Sequence, residues 1–265
     1  MTRIIVVTSG KGGVGKTTFT SNIGAALASL DRKVALVDAD FGLRNLDLLL
    51  GLEERVVYTA LDVLAGDCRL NQALVKDKRL KGLVLLPAAQ NRNKESVQPE
   101  QMQKIVDALT EEYDYVILDC PAGIELGFRN AIAAAKEALI VTTPEIAAVR
   151  DADRVIGLLE AEGIHKINLV VNRVKPAMVQ SNKMMSVEDV LELLGVPLLG
   201  VIPDDEKVIV ATNRGEPLVI GERDSLPAIT INNIALRLEG EKVPFIDLIA
   251  YHESLLSRLR RIFGG

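Results

Sequence analysis

Aromatic residues are scarce in this sequence: they make up 3% of 265 residues, and there is no tryptophan. A core with so few rings must be built from aliphatic side chains, which suits a parallel sheet of Val, Ile and Leu. The hydrophobic share of 48% and the charged share of 25% are those of an ordinary globular protein. The composition therefore favours an α/β fold.

Cysteine and histidine are also rare, with only Cys68, Cys120, His165 and His252 in the chain. So few and so scattered residues exclude a disulfide scaffold and make a zinc site or an iron–sulfur cluster improbable. No run approaches the ~18–20 uninterrupted apolar residues that span a bilayer, and the first residues lead into a strand rather than a signal peptide. We therefore expect a cytoplasmic protein.

Short β-branched runs alternate with longer helical patterns through most of the chain. The predicted strands cover residues 4–8, 34–38, 83–86, 115–119, 138–142, 167–172 and 198–202, and the predicted helices cover 16–29, 99–112, 146–162 and 187–194. This alternation indicates βαβ units in one doubly wound, mostly parallel sheet. The predicted core domain spans residues 1–238, a polar connector follows at 239–250, and a helical tail occupies 251–265.

A phosphate-binding loop occupies residues 10–17, GKGGVGKT, which match G-x-x-x-x-G-K-[ST] between a strand and a helix. Glycines allow backbone N–H groups to surround phosphate oxygens, and the helix start adds positive potential. Lysine supplies a charge to the β- and γ-phosphates, and the following threonine is placed to bind Mg²⁺. The predicted nucleotide contacts are Gly10, Lys11, Gly12, Gly13, Val14, Gly15, Lys16, Thr17 and Thr18.

Aspartates follow two of the predicted strands. Asp38 and Asp40 are two residues apart, so an extended strand would place them on one face. Asp119 follows four apolar residues, the Walker B pattern that holds Mg²⁺. Aspartates at such positions are also common as helix caps and in turns. After a phosphate loop we favour the functional interpretation, with Thr17, Asp40 and Asp119 as the predicted metal ligands.

The segments TSGKGGVGKTT, DADFGLRNLDLLLGLEERVVY, LDCPAGIE and GVIPDD resemble the MinD/ParA family of deviant Walker A ATPases. The resemblance covers nearly the whole chain and implies ATP and Mg²⁺ as cofactors. It also implies a homodimer in which Lys11 reaches the partner's nucleotide, and a role for Asp40 in orienting the attacking water. Lys11, Lys16 and Asp40 are thus the expected catalytic residues.

The same resemblance assigns further contacts. It brings Asn172 and Asp205 to the adenine base, although both residues could equally be turn residues. It places Arg44, Asn45 and Asp47 beside the nucleotide and the partner-binding surface. From the residues alone, Arg44 and Asp47 could form an ordinary surface ion pair, worth ~0–1 kcal/mol.

The tail carries an apolar stripe next to arginines, typical of a membrane-surface helix. A last helix packed on the core is the alternative, and the resemblance favours a membrane-targeting amphipathic helix. The residues expected at the membrane are Leu255, Leu256, Arg258, Leu259, Arg261, Ile262 and Phe263.

The function that the resemblance implies is that of an ATPase switch of low intrinsic turnover, which dimerises with ATP on the anionic inner face of the cell membrane. It would position division-site regulators together with a MinC-like inhibitor and a MinE-like activator. The alternative is a ParA-type ATPase that partitions DNA or cargo. The net charge of −5 argues against broad nucleic-acid binding, and no specific nucleic acid is expected.

Overall fold

The computed structural model describes residues 2–41, 43–89, 97–124 and 126–252. Within these ranges the strands form one eight-stranded sheet. The strands are β1 (Arg3–Thr8), β2 (Val34–Asp38), β3 (Val75–Lys76), β4 (Leu83–Leu86), β5 (Tyr115–Asp119), β6 (Glu137–Thr142), β7 (Ile167–Val174) and β8 (Leu198–Pro203).

Helices cover both faces of this sheet. They are α1 (Lys16–Ser29), α2 (Leu46–Leu49), α3 (Ala60–Ala65), α4 (Leu70–Ala73), α5 (Pro99–Leu109), α6 (Leu126–Ala133), α7 (Ile146–Ala161), α8 (Pro176–Gln180), α9 (Val187–Leu194), α10 (Glu206–Asn213), α11 (Leu218–Gly221) and α12 (Leu226–Leu238), with a 3₁₀ turn at Glu53–Arg55.

The strand order is β3-β4-β2-β5-β1-β6-β7-β8. All neighbouring strands are parallel except β3 and β4, which run antiparallel at one edge. The first strand lies in the middle, and the chain winds outward from it in both directions. The predicted doubly wound, mostly parallel sheet is therefore confirmed, and its switch point lies at the carboxyl end of β1, where such sheets bind ligands.

Two hydrophobic clusters fill the space between the sheet and its helices. Alternate residues of β1 supply them: Ile4 and Val6 belong to one cluster, Ile5 and Val7 to the other. Helices α1, α11 and α12 cover the second cluster, while α5, α6, α7 and α9 cover the first. Strands buried on both faces explain why the sequence shows continuous apolar runs instead of alternation.

Most predicted elements agree with the structure to within two residues. Helix α5 is the exception, because it ends at Leu109 and not at 112. Asp114 and Tyr115 donate their backbone N–H groups to the Lys33 carbonyl, so the chain must already have turned to enter β5. The two-residue strand β3 was not predicted, since so short a segment has no readable periodicity.

The connector after α12 is held to the core. Arg237 donates hydrogen bonds to the carbonyl oxygens of Val243 and Pro244, and its guanidinium lies 4.1 Å from the Phe245 ring centroid. The predicted domain limits at 238 and 250 stay predictions. In the part of the chain described here, no helix is both long and apolar enough to cross a bilayer.

The residues predicted to contact the membrane lie in 253–265, outside the described residues. They are Leu255, Leu256, Arg258, Leu259, Arg261, Ile262 and Phe263.

Candidate nucleotide site

The phosphate loop joins β1 to α1 at the switch point of the sheet. Gly13 and Gly15 have φ values of +80° and +98°, a region that strongly favours glycine. The Ser9 hydroxyl donates to the Lys11 carbonyl oxygen at 2.8 Å and braces the first turn of the loop. Helix α1 has no acidic residue in its first turn, so its own side chains do not offset its positive end. The loop thus has the local geometry of an anion site.

Lys16, Thr17 and Asp119 come together below this loop. Lys16 is buried, and the Thr17 hydroxyl lies close enough to Asp119 to favour its ionised form. Thr20, one turn further along α1, donates to Asp119 Oδ1 at 2.9 Å. Burial raises the pKa of Asp119 to about 6, although the charge of Lys16 and the two threonine hydroxyls favour its ionised form. The predicted metal ligands Thr17 and Asp119 are therefore neighbours.

Asp38 and Asp40 do not lie together on one extended strand, contrary to the prediction. Strand β2 ends at Asp38, so Asp40 lies in the following loop and the two do not share a strand face. The buried Asp38 carboxylate accepts the backbone N–H groups of Asp40 at 3.0 Å and Leu46 at 3.3 Å. Asp38 thereby holds both ends of the loop that carries Asp40. The doubled aspartate in DAD was the available signal for this positioning role.

Carboxylates concentrate at this end of the sheet. Burial and the nearby charge of Asp119 raise the pKa of Asp38 to about 8, and Asp40 adds to the negative potential at Asp119. Oxygen ligands of this kind, with the Thr17 hydroxyl, are the donor set that Mg²⁺ prefers. The residues present therefore fit Mg²⁺ beneath a phosphate-binding loop.

Lys11 lies apart from this cluster. Its ammonium is 3.5 Å from Glu145 Oε2, at the start of α7, and both side chains are about half exposed. Glu145 was not among the predicted site residues, because the two positions are 134 residues apart and no local pattern links them. A cavity of about 820 Å³ opens beside Glu145, with Arg173 and Lys175 in its wall.

The two predicted base contacts differ in position. Asn172 Nδ2 donates to the Val14 carbonyl oxygen at 2.8 Å, which places Asn172 against the phosphate loop. Asp205 is the N-cap of α10, and its Oδ1 accepts from the Lys207 N–H at 2.9 Å. Asp205 thus caps a helix, a role that the sequence analysis did not predict for it, and its base contact stays a prediction.

The Arg44–Asp47 pair is not an ordinary surface ion pair. Arg44 Nε lies 2.6 Å from Asp47 Oδ2, and the Asp47 side chain is only 1% exposed. Arg44 has φ +43°, so the loop takes an uncommon backbone conformation here. Asn45 between them is exposed. The pair therefore shapes the loop, and Asn45 is the member of the predicted partner-binding trio that faces solvent.

Comparison with known proteins agrees with this geometry. A family model described as "CobQ/CobB/MinD/ParA nucleotide binding domain" matches residues 5–218. The chain is 66% identical to the septum site-determining protein MinD of Synechocystis sp., over the full length of both.

Two solved structures share the fold. The MinC:MinD cell division protein complex of Aquifex aeolicus has 49% identity and a TM-score of 0.85, covering 91% of this chain and 98% of that one. The septum site-determining protein MinD of Pyrococcus horikoshii, complexed with Mg-ADP, has 34% identity and a TM-score of 0.83, covering 92% and 100%.

The chain belongs to the CobQ/CobB/MinD/ParA nucleotide-binding family. Within that family it is a P-loop ATPase of the type that acts in placing the division site.

Proposed function

We propose that this ATPase is a switch that binds ATP with Mg²⁺, pairs with a second copy of itself, and then stays on an anionic membrane surface. The observation that carries the proposal is the position of Lys11. Lys16 is buried among the site residues, whereas Lys11 lies at the surface in a loose pair with Glu145. An exposed pair of this kind contributes little stability and is easily exchanged. Lys11 is therefore available to a second molecule.

Each site residue has a distinct part in this proposal. The loop N–H groups and Lys16 bind the phosphates, while Thr17, Asp40 and Asp119 would hold Mg²⁺, which would neutralise charge on the phosphate oxygens. Asp40 orients the attacking water. Lys11 of each copy adds a positive charge at the partner's transferring phosphoryl group, as an arginine finger does.

The tail supplies membrane contact in the same proposal. We assign residues 1–238 to the ATPase domain, 239–250 to a connector and 251–265 to the membrane-targeting helix. One short helix binds a bilayer weakly, since each buried apolar side chain contributes ~1.5–3 kcal/mol before ordering costs. Two tails on one dimer gain avidity through effective concentration. ATP would thus control membrane residence, on the inner face of the cell membrane, by controlling dimerisation.

Liposome sedimentation tests this link. The full chain should pellet with anionic vesicles in ATP and much less in ADP, while a version ending at Glu253 should stay in solution in both. Neutral vesicles are the matched control for the arginine contribution. Equal pelleting in all conditions would rule out nucleotide-controlled membrane binding.

We further propose a MinC-like inhibitor and a MinE-like activator as partners. The Aquifex relative is described in a MinC:MinD complex, and the loop that carries Arg44 and Asn45 here is shaped by a buried ion pair next to the site. DNA or cargo partitioning is the weaker alternative, because the relatives reported above are septum-site proteins. ATP-dependent, salt-sensitive retention on DNA would favour that alternative.

A further inference from the structure

An apolar groove of about 440 Å³ lies beside α9. Its floor includes Val179, Leu191 and Leu198, which are half-buried and pack on the first hydrophobic cluster. The charged residues in its wall are Glu188 and Asp247, both acidic. Among the described residues, the groove thus combines an apolar floor with a negative rim.

The chain enters the tail at this groove. Asp247 Oδ1 accepts the N–H groups of Ile249 and Ala250, each at 3.0 Å, and so caps a helical turn. Leu248, the first residue of that turn, is buried in the first cluster, and Leu248 and Ile249 also line the groove. The end of the connector, directly before the tail, is therefore already seated on the groove wall.

The tail sequence continues the face that Leu248 begins. Leu255, Leu259 and Ile262 follow Leu248 at intervals of seven, four and three residues. On a continuous helix these intervals fall on one stripe. The apolar stripe expected to enter the membrane is thus in register with a residue that packs on the protein.

The charges of the two surfaces are complementary. The tail carries Arg258, Arg260 and Arg261, while Glu188 and Asp247 are the charged groups that the described part of the chain contributes to the groove wall. Residues 249–254 tether the tail and so keep it at a high effective concentration near the groove. A second protein chain would bind there instead only at a concentration above that value.

We propose that, away from membranes, residues 255–263 dock in this groove of their own chain, so that the bilayer competes with the protein for the same apolar stripe. This inference rests on the proposed membrane function of the tail. It adds an intramolecular contact, here called the latch, in which residues 255–263 occupy the groove. The stripe cannot face the groove and the acyl chains at once. Release of the tail would then precede each membrane contact.

Disulfide trapping tests the docking directly. In full-length protein with Cys68→Ser, Leu191→Cys and Leu259→Cys should form an intramolecular disulfide under mild oxidation. The control places the first cysteine at Leu193, which is also on α9 but is 61% exposed and lies outside the groove. The Leu191 pair should close about tenfold faster or more, since docking raises its effective concentration. Equal rates, or only disulfide-linked dimers, would overturn the inference.

Hydrogen exchange gives a second measurement with no substitution in the groove. Amides in α9 and in residues 245–249 should exchange several-fold faster in a version ending at Glu253 than in the full chain. Identical exchange would also overturn the docking.

The liposome assay separates this inference from the proposed function. Pelleting without trapping would leave the membrane switch and remove the latch. Trapping without pelleting in any nucleotide would leave the docked tail and remove the membrane role.

Discussion

The two ends of the same sheet treat charge in opposite ways. At the amino end, Glu137 binds Arg3 Nη2 at 2.5 Å and Lys166 Nζ at 3.0 Å. Although burial opposes ionisation, these two cations hold the pKa of Glu137 below its usual value. At the carboxyl end, burial raises the pKa of both Asp38 and Asp119. The cations thus outweigh burial at the amino end, whereas burial outweighs the charge of Lys16 at the carboxyl end.

This difference separates stability from function within one fold. At the amino end, Arg3 and Lys166 satisfy the charge of Glu137 without any ligand, so this contact contributes to folding. The carboxyl end keeps buried carboxylates at a cost in stability, as functional sites do when a bound cation neutralises their charge. Substitutions at the two ends should therefore differ in their effects on turnover and on stability.

Lys11→Ala should lower partner-stimulated ATP turnover on the order of 10³-fold, as loss of an arginine finger does. Basal turnover should change little, since Lys11 lies outside its own phosphate cluster. Turnover with liposomes and a MinE-like activator is the measurement. Lys33→Ala, an exposed lysine at the amino end, is the matched control. An unchanged stimulated rate would remove the support for Lys11 as a catalytic residue.

Asp119→Asn should reduce Mg²⁺-dependent hydrolysis by about 100-fold or more, because the metal loses a charged ligand. Glu137→Gln neutralises a carboxylate at the other end of the sheet and should leave turnover intact. Steady-state rates over a Mg²⁺ titration compare the two. A similar loss in both variants would contradict a functional division between the ends.

The pH dependence of unfolding should have opposite signs at the two ends. The pKa of Asp119 rises from 3.8 to about 6, so its contribution to stability is full below pH 3.8 and is lost as the pH rises through 6. The pKa of Glu137 is lowered from 4.5, so its contribution is present above pH 4.5 and is lost as the pH falls.

Thermal unfolding of nucleotide-free protein between about pH 4 and pH 7 measures both signs. Relative to wild type, Asp119→Asn should gain stability as the pH rises, on the order of 1–3 kcal/mol, whereas Glu137→Gln should lose it. Parallel curves for the three proteins would show that the two ends are alike.

Glu137→Gln should also destabilise the protein at neutral pH, by about 1–3 kcal/mol, because Arg3 loses its charged partner in a half-buried place. The free energy of unfolding in urea measures this. Lys166→Ala is the milder comparison, since that side chain is 60% exposed. Equal effects of the two variants would show that burial of the Arg3 pair is not the cause.

Much of this architecture could be predicted from the sequence. Strands such as β2 and β5 are continuous apolar runs, and α1 follows from the phosphate loop, so their limits agree with the structure. The strand order could not be predicted, because parallel neighbours are distant in sequence. The contact of Arg3 with Glu137 spans 134 residues and leaves no local pattern.

The site shows the same division. Thr17 and Asp119 lie near each other, as their motifs predict, because β1 and β5 are neighbours and Val7 pairs with Asp119. The clamp by Asp38, the burial of Asp47 and the pairing of Lys11 with Glu145 depend on tertiary packing. Motifs identify the residues of a site. Tertiary packing determines which of them are buried in fixed contacts, as Asp38 and Asp47 are, and which are exposed, as Lys11 is.

The first glycine of the phosphate loop bears on how genetic screens of this chain are interpreted. A Cβ added at Gly10 would lie 2.2 Å from the backbone carbonyl oxygen of Asp151, in α7. Any side chain there would push the loop off that helix before a nucleotide arrives. Alleles at Gly10 will therefore be recovered as misfolded or short-lived protein, and cell-division defects that they cause should be scored against protein abundance before they are attributed to phosphate binding.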